Sequence, residues 1–499
     1  MNEAYDYKDL KHNRGRCSFD KPGEECAVFG IYGHENAAEM TYLGLYALQH
    51  RGQESSGIVT SDQENIYYHR AMGLVSEVFG DQAVFRYLKG SMAIGHNRYS
   101  TTGSNRERNC QPLIAADRDS QIAIGHNGNL TNTRALYDKL TRKGAIFQTT
   151  LDSEIIIHLT AMSKKGSFEE RFIDALKQVE GAYCLVVLTR DKLIAARDPY
   201  GFRPLCLGRT KTAWVVASET CALDIIGAEY IRDVEPGEVI IIDDKMLNSI
   251  KPFKERKNAF CIFEYVYFSR PDSYIFGSCV DKARRKIGKS LAREAPVDAD
   301  IVISVPDSSN TAALGYARES GIPYEVGLIR NHYIGRTFIH PSQVTRDAKV
   351  RIKFNPVRGV LDGKRVVVVE DSVVRGTTFR KITKLLRDAG AKEVHLRVSS
   401  PPIIAPCYYG MDFPTKEELL AANMSVEEIG KFLGVDSIYY LSLKGLHGSV
   451  PNGDRSYCDA CFSGQYPTDL PENITKTSLE NATSNSHLID AFSLRYEND

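Results

Sequence analysis

The 499-residue chain has no excess of either charge: 63 Lys and Arg balance 63 Asp and Glu. It therefore carries no global field to draw nucleic acid or an anionic membrane, and any anion binding must come from local clusters. No apolar run approaches the ~20 residues a membrane-spanning helix needs, and the opening MNEAYDYKDLKHNRGR is too polar for a secretory signal. These absences predict a cytoplasmic protein with no nucleic acid and no membrane as partner. A regular disulfide frame is missing too. The eleven cysteines are scattered, which in a reducing compartment leaves core packing, catalysis or metal ligation as their uses. What remains is an ordinary globular composition, long enough for two domains with separate cores.

Residues 1–25 are charged, lack periodicity, end in KPGEE and read as a leader. From Cys26 onward, strand-like runs (CAVFGI, QIAIGH, YCLVVLT, AWVVAS, EVIIID) alternate with helical segments near 36–50, 132–143 and 153–164. Few of these strands are joined by βαβ crossovers, so residues 26–250 are expected to form largely antiparallel sheets with helices packed on them. The charged stretch KPFKERKN, beginning at Lys251, is the candidate boundary. Beyond it, IVISV (301–305), PYEVGLI (323–329), VVVV (366–369) and VHLRVS (394–399) alternate with helices at 309–320 and 377–389. In the second of these helices Ile382, Leu385, Leu386 and Ala389 share one face. This rhythm predicts a doubly wound parallel sheet over 251–466, followed by a loosely ordered Asn, Ser and Thr-rich tail over 467–499.

The stretch VVVVEDSVVRGTT, residues 366–378, joins a β-branched run to an acidic pair and a small loop. An unbroken run of valines suits a strand buried on both faces, and ligands of open α/β sheets sit at the carboxyl ends of such strands. Glu370 and Asp371 fall there and can reach sugar hydroxyls or a hydrated Mg²⁺. Gly376 relaxes the backbone, while Arg375, Thr377, Thr378 and the amides of the next helix offer donors to a phosphate. A strand–acid–helix junction taken alone is as readily a solvated turn that caps a helix.

This string resembles the fingerprint of type I phosphoribosyltransferases. The resemblance implies that Glu370, Asp371, Ser372, Arg375, Gly376, Thr377 and Thr378 bind phosphoribosyl pyrophosphate (PRPP). It also implies that Ser308, Glu370 and Asp371 hold one Mg²⁺ per subunit; by itself Ser308, in SVPDSSNTAA, would be a helix cap. The family usually has two aspartates, so Glu370 departs from it by one methylene. The long basic segment after Arg330, with Arg336, Arg346, Arg351 and Lys353, would be a lid over the pyrophosphate.

In the first half, LQHRGQES (48–55), GHNRYSTTG (95–103), GHNGNL (125–130) and DSE (152–154) resemble, in order, the glutaminase domain of class II glutamine amidotransferases. Those are N-terminal nucleophile hydrolases with an αββα sandwich. The resemblance implies removal of residues 1–25, which makes Cys26 the first residue and nucleophile. A free α-amino group titrates at about 7.7–8.0 and can take and return the thiol proton. By the same resemblance Asn127 and the amide of Gly128 hold the oxyanion, Arg98 clamps the glutamine α-carboxylate, and Asp152 meets its α-ammonium. Without a ligand, Arg98 and Asp152 could instead pair with each other. Ala27 stands where many relatives have glycine. His50, His96 and His126 sit beside glycine turns and are read as structural.

Cys458 and Cys461 form a CxxC, with Cys261 and Cys407 far upstream. Four thiolates suit tetrahedral Zn²⁺ as well as a [4Fe-4S] cluster. Resemblance to one branch of the glutamine PRPP amidotransferase family, which covers roughly residues 24–466, implies one structural [4Fe-4S] cluster per subunit. Cys17, Cys110, Cys184, Cys206, Cys221 and Cys279 are left as core or bystander residues. The whole resemblance implies transfer of glutamine-derived ammonia to C1 of PRPP, which gives 5-phosphoribosylamine and pyrophosphate as the first step of purine synthesis. It also implies purine nucleotide feedback inhibitors and a homotetramer or homodimer. Rival readings are a base-salvage phosphoribosyltransferase with an inert first half, and a PRPP or oxygen sensor without chemistry.

Overall fold

The computed structural model describes residues 26–99, 106–116, 121–331, 353–413, 415–453 and 456–471. The predicted leader with Cys17, the basic residues Arg336, Arg346 and Arg351, and residues 472–499 of the tail lie outside the described residues.

The strand Ala27–Tyr32 is paired antiparallel on both sides, with Trp214–Ala217 and with Met92–Arg98. It thus lies inside a seven-stranded sheet, and Cys26 stands at its amino end. Side chains alternate along a strand, and here the alternation separates two cores. Phe29 and Ile31 pack with Leu45 of the helix Ala37–Ala47 on the outer face. Val28 points inward, joining Ile94, Val186, Ala195 and Val216 between this sheet and a six-stranded one. The far face of the second sheet, with Leu185 and Val187, buries Ile155, Leu159 and Phe172 of the helices Ser153–Met162 and Phe168–Leu176. Three cores stacked in this way make the αββα sandwich, and all five strand-like runs of this half fall on strands.

The second half is built on four parallel strands in the order Ile301–Ser304, Arg365–Glu370, Glu393–Val398 and Ser437–Tyr440. Val367 and Val369 face one core, while Val366 and Val368 face the other. The valine run is therefore apolar because both its faces are covered. The expected strand PYEVGLI is corrected. Tyr324 makes only an isolated parallel bridge to Val302, and Leu328–Arg330 pairs antiparallel with Phe354–Pro356. The physical reason is exposure: Val326 and Ile329 are about half exposed, so this segment runs along the surface instead of through the sheet. The fourth strand is instead Ser437–Tyr440, at the opposite edge beside Glu393–Val398. The Leu328–Arg330 hairpin also joins the two ends of the predicted lid, with the Asn331 amide donating to the Lys353 carbonyl at 2.9 Å.

At the start of the expected tail, Thr468 Oγ1 lies 2.8 Å from the hydroxyl of buried Tyr409. Among the described residues no helix is long and apolar enough to cross a membrane.

Candidate active site

The first constellation gathers around Cys26, whose side chain is buried and whose Sγ lies 3.5 Å from the Tyr99 carbonyl. Its own carbonyl accepts from Arg51 Nε at 3.3 Å. Arg51 is fully buried and is therefore held by charge: it pairs with Glu219 and forms a two-pronged bridge to Glu264, at 2.7 and 3.1 Å. Its guanidinium also lies 4.6 Å from the centre of the Phe268 ring. Glu264 and Phe268 bound a single π-helical turn in the second half of the chain, so the residue that steadies Cys26 is itself fixed from the other half. Removing one partner of such a buried pair typically costs about 3–5 kcal/mol, because the other charge is left stranded. Sequence reasoning quoted Arg51 within LQHRGQES but gave it no role. Glu264 and Glu219 carried no local signal, because only the tertiary fold brings them to the arginine.

Across the sandwich, the strand Gln121–Leu130 faces Ala27–Tyr32 and carries the Asn127–Gly128 pair near its carboxyl end. Asn127 is buried, and neither its Nδ2 nor its Oδ1 has a hydrogen-bond partner among the described residues. Leaving an amide buried and unpaired costs about 1–3 kcal/mol. Gly128 has φ +145°, and a Cβ there would lie 2.2 Å from the Ala182 carbonyl oxygen, so only glycine fits.

Arg98 is buried, 4.0 Å from Glu54. Asp152, also buried, stands 3.3 Å from His126 Nδ1 and accepts from the Leu130 amide at 2.9 Å. Burial opposes the charge on both members of this pair, yet each outweighs that penalty for the other. His126 is held above its ordinary pKa by Asp152, and Asp152 below its own by His126 and the nearby amides. His126 thus stands between Asp152 and the Ala182 carbonyl, with its other nitrogen 3.3 Å from that carbonyl. His96 is fully buried, and burial pushes its pKa down to about 3, so it stays neutral beside the His126 carbonyl. His50 sits 2.8 Å from Glu219.

The second constellation lies at the carboxyl edge of the parallel sheet. Asp371 Oδ2 accepts from Ser308 Oγ at 2.5 Å, and Oδ1 accepts from Ser372 at 2.7 Å. The longer arm of Glu370 folds back, placing Oε1 3.1 Å from both the Asp371 amide and Ser309 Oγ. Gly376, at φ +72°, is the N-cap of the helix Thr377–Asp388 and brings no side chain of its own to the helix's first amides. Thr377 is exposed, Thr378 half-buried, and Arg375 lies 3.2 Å from Glu418. These groups are hydroxyls, carboxylates, backbone amides and a guanidinium, a set suited to phosphates and to a hard cation.

Backbone pairing draws the segments of four cysteines together on the flank of this half. Parallel pairing of Phe260–Cys261 with Tyr457–Cys458 places Cys261 opposite Cys458. The Cys461 carbonyl accepts from the Ile404 and Ala405 amides at 2.9 and 3.2 Å, which draws the Cys407 segment alongside. Burial pushes the Cys461 thiol well up, and Cys261, Cys407 and Cys458 push it the same way. Thiols that so oppose one another's ionisation become stable thiolates together only around positive charge. Among the described residues no group of three or more His, Cys, Asp or Glu side chains is set to hold a metal ion as it stands. Cys110, Cys184, Cys206 and Cys221 are buried, and Cys279 is half-buried.

The chain's relatives share both halves. A glutamine amidotransferase domain family matches residues 96–224, and a phosphoribosyl transferase domain family matches residues 279–400. Amidophosphoribosyltransferase 1, chloroplastic, from Arabidopsis thaliana is 53% identical over 91% of this chain and 80% of its own length. The amidophosphoribosyltransferase of Bacillus subtilis is 48% identical, over 92% of this chain and 97% of its own length. Among solved structures, one described as the allosteric regulatory enzyme of purine biosynthesis superposes with TM-score 0.87 at 47% identity, covering 91% of this chain and 99% of that one. Another, glutamine PRPP amidotransferase from B. subtilis complexed with ADP and GMP, has TM-score 0.86 at 47% identity, covering 91% and 100%. With such identity sustained across both halves, the chain belongs to the amidophosphoribosyltransferase family.

Proposed function

We propose that the chain hydrolyses glutamine at Cys26 and delivers the ammonia to C1 of PRPP at the 370–378 loop, yielding 5-phosphoribosylamine and pyrophosphate for purine synthesis. The observation that carries this reading is the Arg51 bridge, which holds the Cys26 carbonyl with one edge and Glu264 of the other half with the rest. In this reading residues 26–250 are the glutaminase and residues 251–466 the transferase, preceded by a leader over 1–25 and followed by a tail over 467–499. Glutamine-dependent release of pyrophosphate from PRPP is expected; release that ignores glutamine and ammonia alike would point to a salvage transferase.

The Cys26 thiolate attacks the γ-carboxamide, and the oxyanion that forms takes hydrogen bonds from Asn127 Nδ2 and the Gly128 amide. The unpaired state of the Asn127 amide supports this role. With the leader removed, the α-amine of Cys26 carries the proton from thiol to leaving ammonia. Arg98 and Asp152 clamp the amino-acid end of the substrate. A covered path then keeps ammonia from protonation before it reaches the ribose.

Arg375, Gly376, Thr377, Thr378 and the helix amides cradle the 5-phosphate, and Glu370, Asp371 and Ser372 face the ribose and its metal. The family's phosphoribosyl transfer is metal-dependent. We assign Mg²⁺ to Ser308, Glu370 and Asp371, where it would neutralise charge gathering on the departing pyrophosphate. We assign Cys261, Cys407, Cys458 and Cys461 to one [4Fe-4S] cluster with a structural task, a reading their paired backbone segments support. Anaerobic purification is expected to give brown protein with about four iron and four sulfide per chain; stoichiometric zinc would overturn the assignment.

The B. subtilis relative in complex with ADP and GMP supports purine nucleotides as regulators of this chain. Assembly as a homotetramer or homodimer and a cytoplasmic location are part of the same reading; several plant relatives are named as chloroplastic.

A further inference from the structure

Four consecutive residues, Cys407 to Gly410, run from the thiol group to the back of the oxyanion pair, and each is held. Cys407 Sγ accepts from the Tyr409 amide at 3.3 Å. The Tyr408 carbonyl accepts from Asn129 Nδ2 at 2.9 Å. The Tyr409 carbonyl accepts from buried Arg203 through Nε at 3.1 Å and Nη2 at 2.7 Å, while the Tyr409 ring stacks on Phe202 with centroids 4.2 Å apart. Gly410, at φ +112°, lies against Gly128 so closely that a Cβ there would sit 3.2 Å from the Gly128 carbonyl carbon and 3.3 Å from its Cα. Asn129 directly follows the peptide whose N–H faces the oxyanion.

We propose that Asn129 is a positioning residue: its bond to the Tyr408 carbonyl seats the 407–410 loop against Gly128 and thereby aims the Gly128 N–H. This rests on the reading of Asn127 and Gly128 as oxyanion donors. Gly128 pairs with Tyr183 two residues before the strand ends, but at φ +145° and without a side chain its peptide is held only by backbone neighbours. The ladder with Ala182 and Tyr183 bounds it on one side, and the backbone of Gly410 bounds it on another. Arg203 and Phe202 anchor Tyr409 of this loop, and the Asn129 amide adds the bond nearest to Gly128, whereas the PRPP loop at 370–378 is bonded to other segments, such as Ser308, Ser309 and Glu418.

The test is Asn129→Asp, which keeps the shape but cannot donate to the Tyr408 carbonyl, with Asn129→Ala as a second variant. Both should lower kcat for glutamine hydrolysis by roughly tenfold to a hundredfold with KM for glutamine within about twofold. Affinity for glutamate γ-semialdehyde, an aldehyde that Cys26 converts to a tetrahedral adduct, should fall by the same factor. Ammonia-dependent synthesis and iron content should match the parent, which also shows that the variants are folded. Unchanged kcat and aldehyde affinity, or equal losses with ammonia, would overturn the proposal. Asn127→Ala run alongside separates the two levels: if it too leaves aldehyde affinity intact, the oxyanion reading itself fails.

Discussion

Cys26→Ala is expected to abolish glutamine-dependent synthesis, by roughly a thousandfold or more, since no other group near the substrate can form the thioester. Synthesis with added ammonia should stay within about twofold of the parent. The separation follows from where the residue sits. Cys26 stands at the amino end of a strand paired on both sides, so loss of one sulfur at the strand's edge leaves the hydrogen-bonded frame in place. The nearest link to the transferase, Arg51 to Glu264, engages the carbonyl of residue 26 and not its side chain, and alanine retains that carbonyl. Steady-state pyrophosphate release measured with each nitrogen donor decides the matter, and equal loss with both would mean that the two sites are not separable. Intact mass of the purified chain should be read beside it. If the active chain still begins at its encoded methionine, the α-amine cannot be the proton carrier.

How much of this was legible beforehand follows from range. Val366–Val369 announced a doubly covered strand because burial on both faces leaves a continuous apolar run, and the structure divides those valines between two cores. Asp371 stood out by its place after a buried strand, while Cys26 and Asn127 stood out only through the resemblance of the strings around them to a known family. PYEVGLI misled for the converse reason. Its composition suits a strand, but its exposed Val326 and Ile329 show that composition alone does not say which segment the sheet accepts. Ser437–Tyr440 is too short to assert a period. The Arg51, Glu219 and Glu264 set could not be read at all, because it joins positions more than 160 residues apart. The reading of His126 from its glycine-turn setting did not include its place beside Asp152, which it helps keep ionised.

Asp371→Asn should have the opposite signature to the cysteine variant. Synthesis is expected to fall by roughly a hundredfold or more with glutamine and ammonia alike, because one of the few negative charges able to hold a cation against the pyrophosphate is gone. Hydrolysis of glutamine without PRPP should persist. The effect should exceed that of Glu370→Gln, and the geometry says why. Glu370 Oε1 is already turned toward the Asp371 amide and Ser309, whereas Asp371 stands at the edge of the sheet with Ser308 and Ser372 donating to its two oxygens and fixing its plane. Asp371 is also the foremost charge supporting buried Arg284, whose pKa burial has pushed down to about 10. Arg284 in turn donates to the Tyr265 and Ser269 carbonyls beside Glu264. Neutralising Asp371 therefore weakens the cation site and one support of the turn that grips Arg51. A thermal unfolding comparison distinguishes these two consequences: a midpoint within a few degrees of the parent with activity lost places the defect at the cation. If Asp371→Asn instead retained ammonia-dependent synthesis near the parent's level, the carboxylate would not belong to the PRPP site.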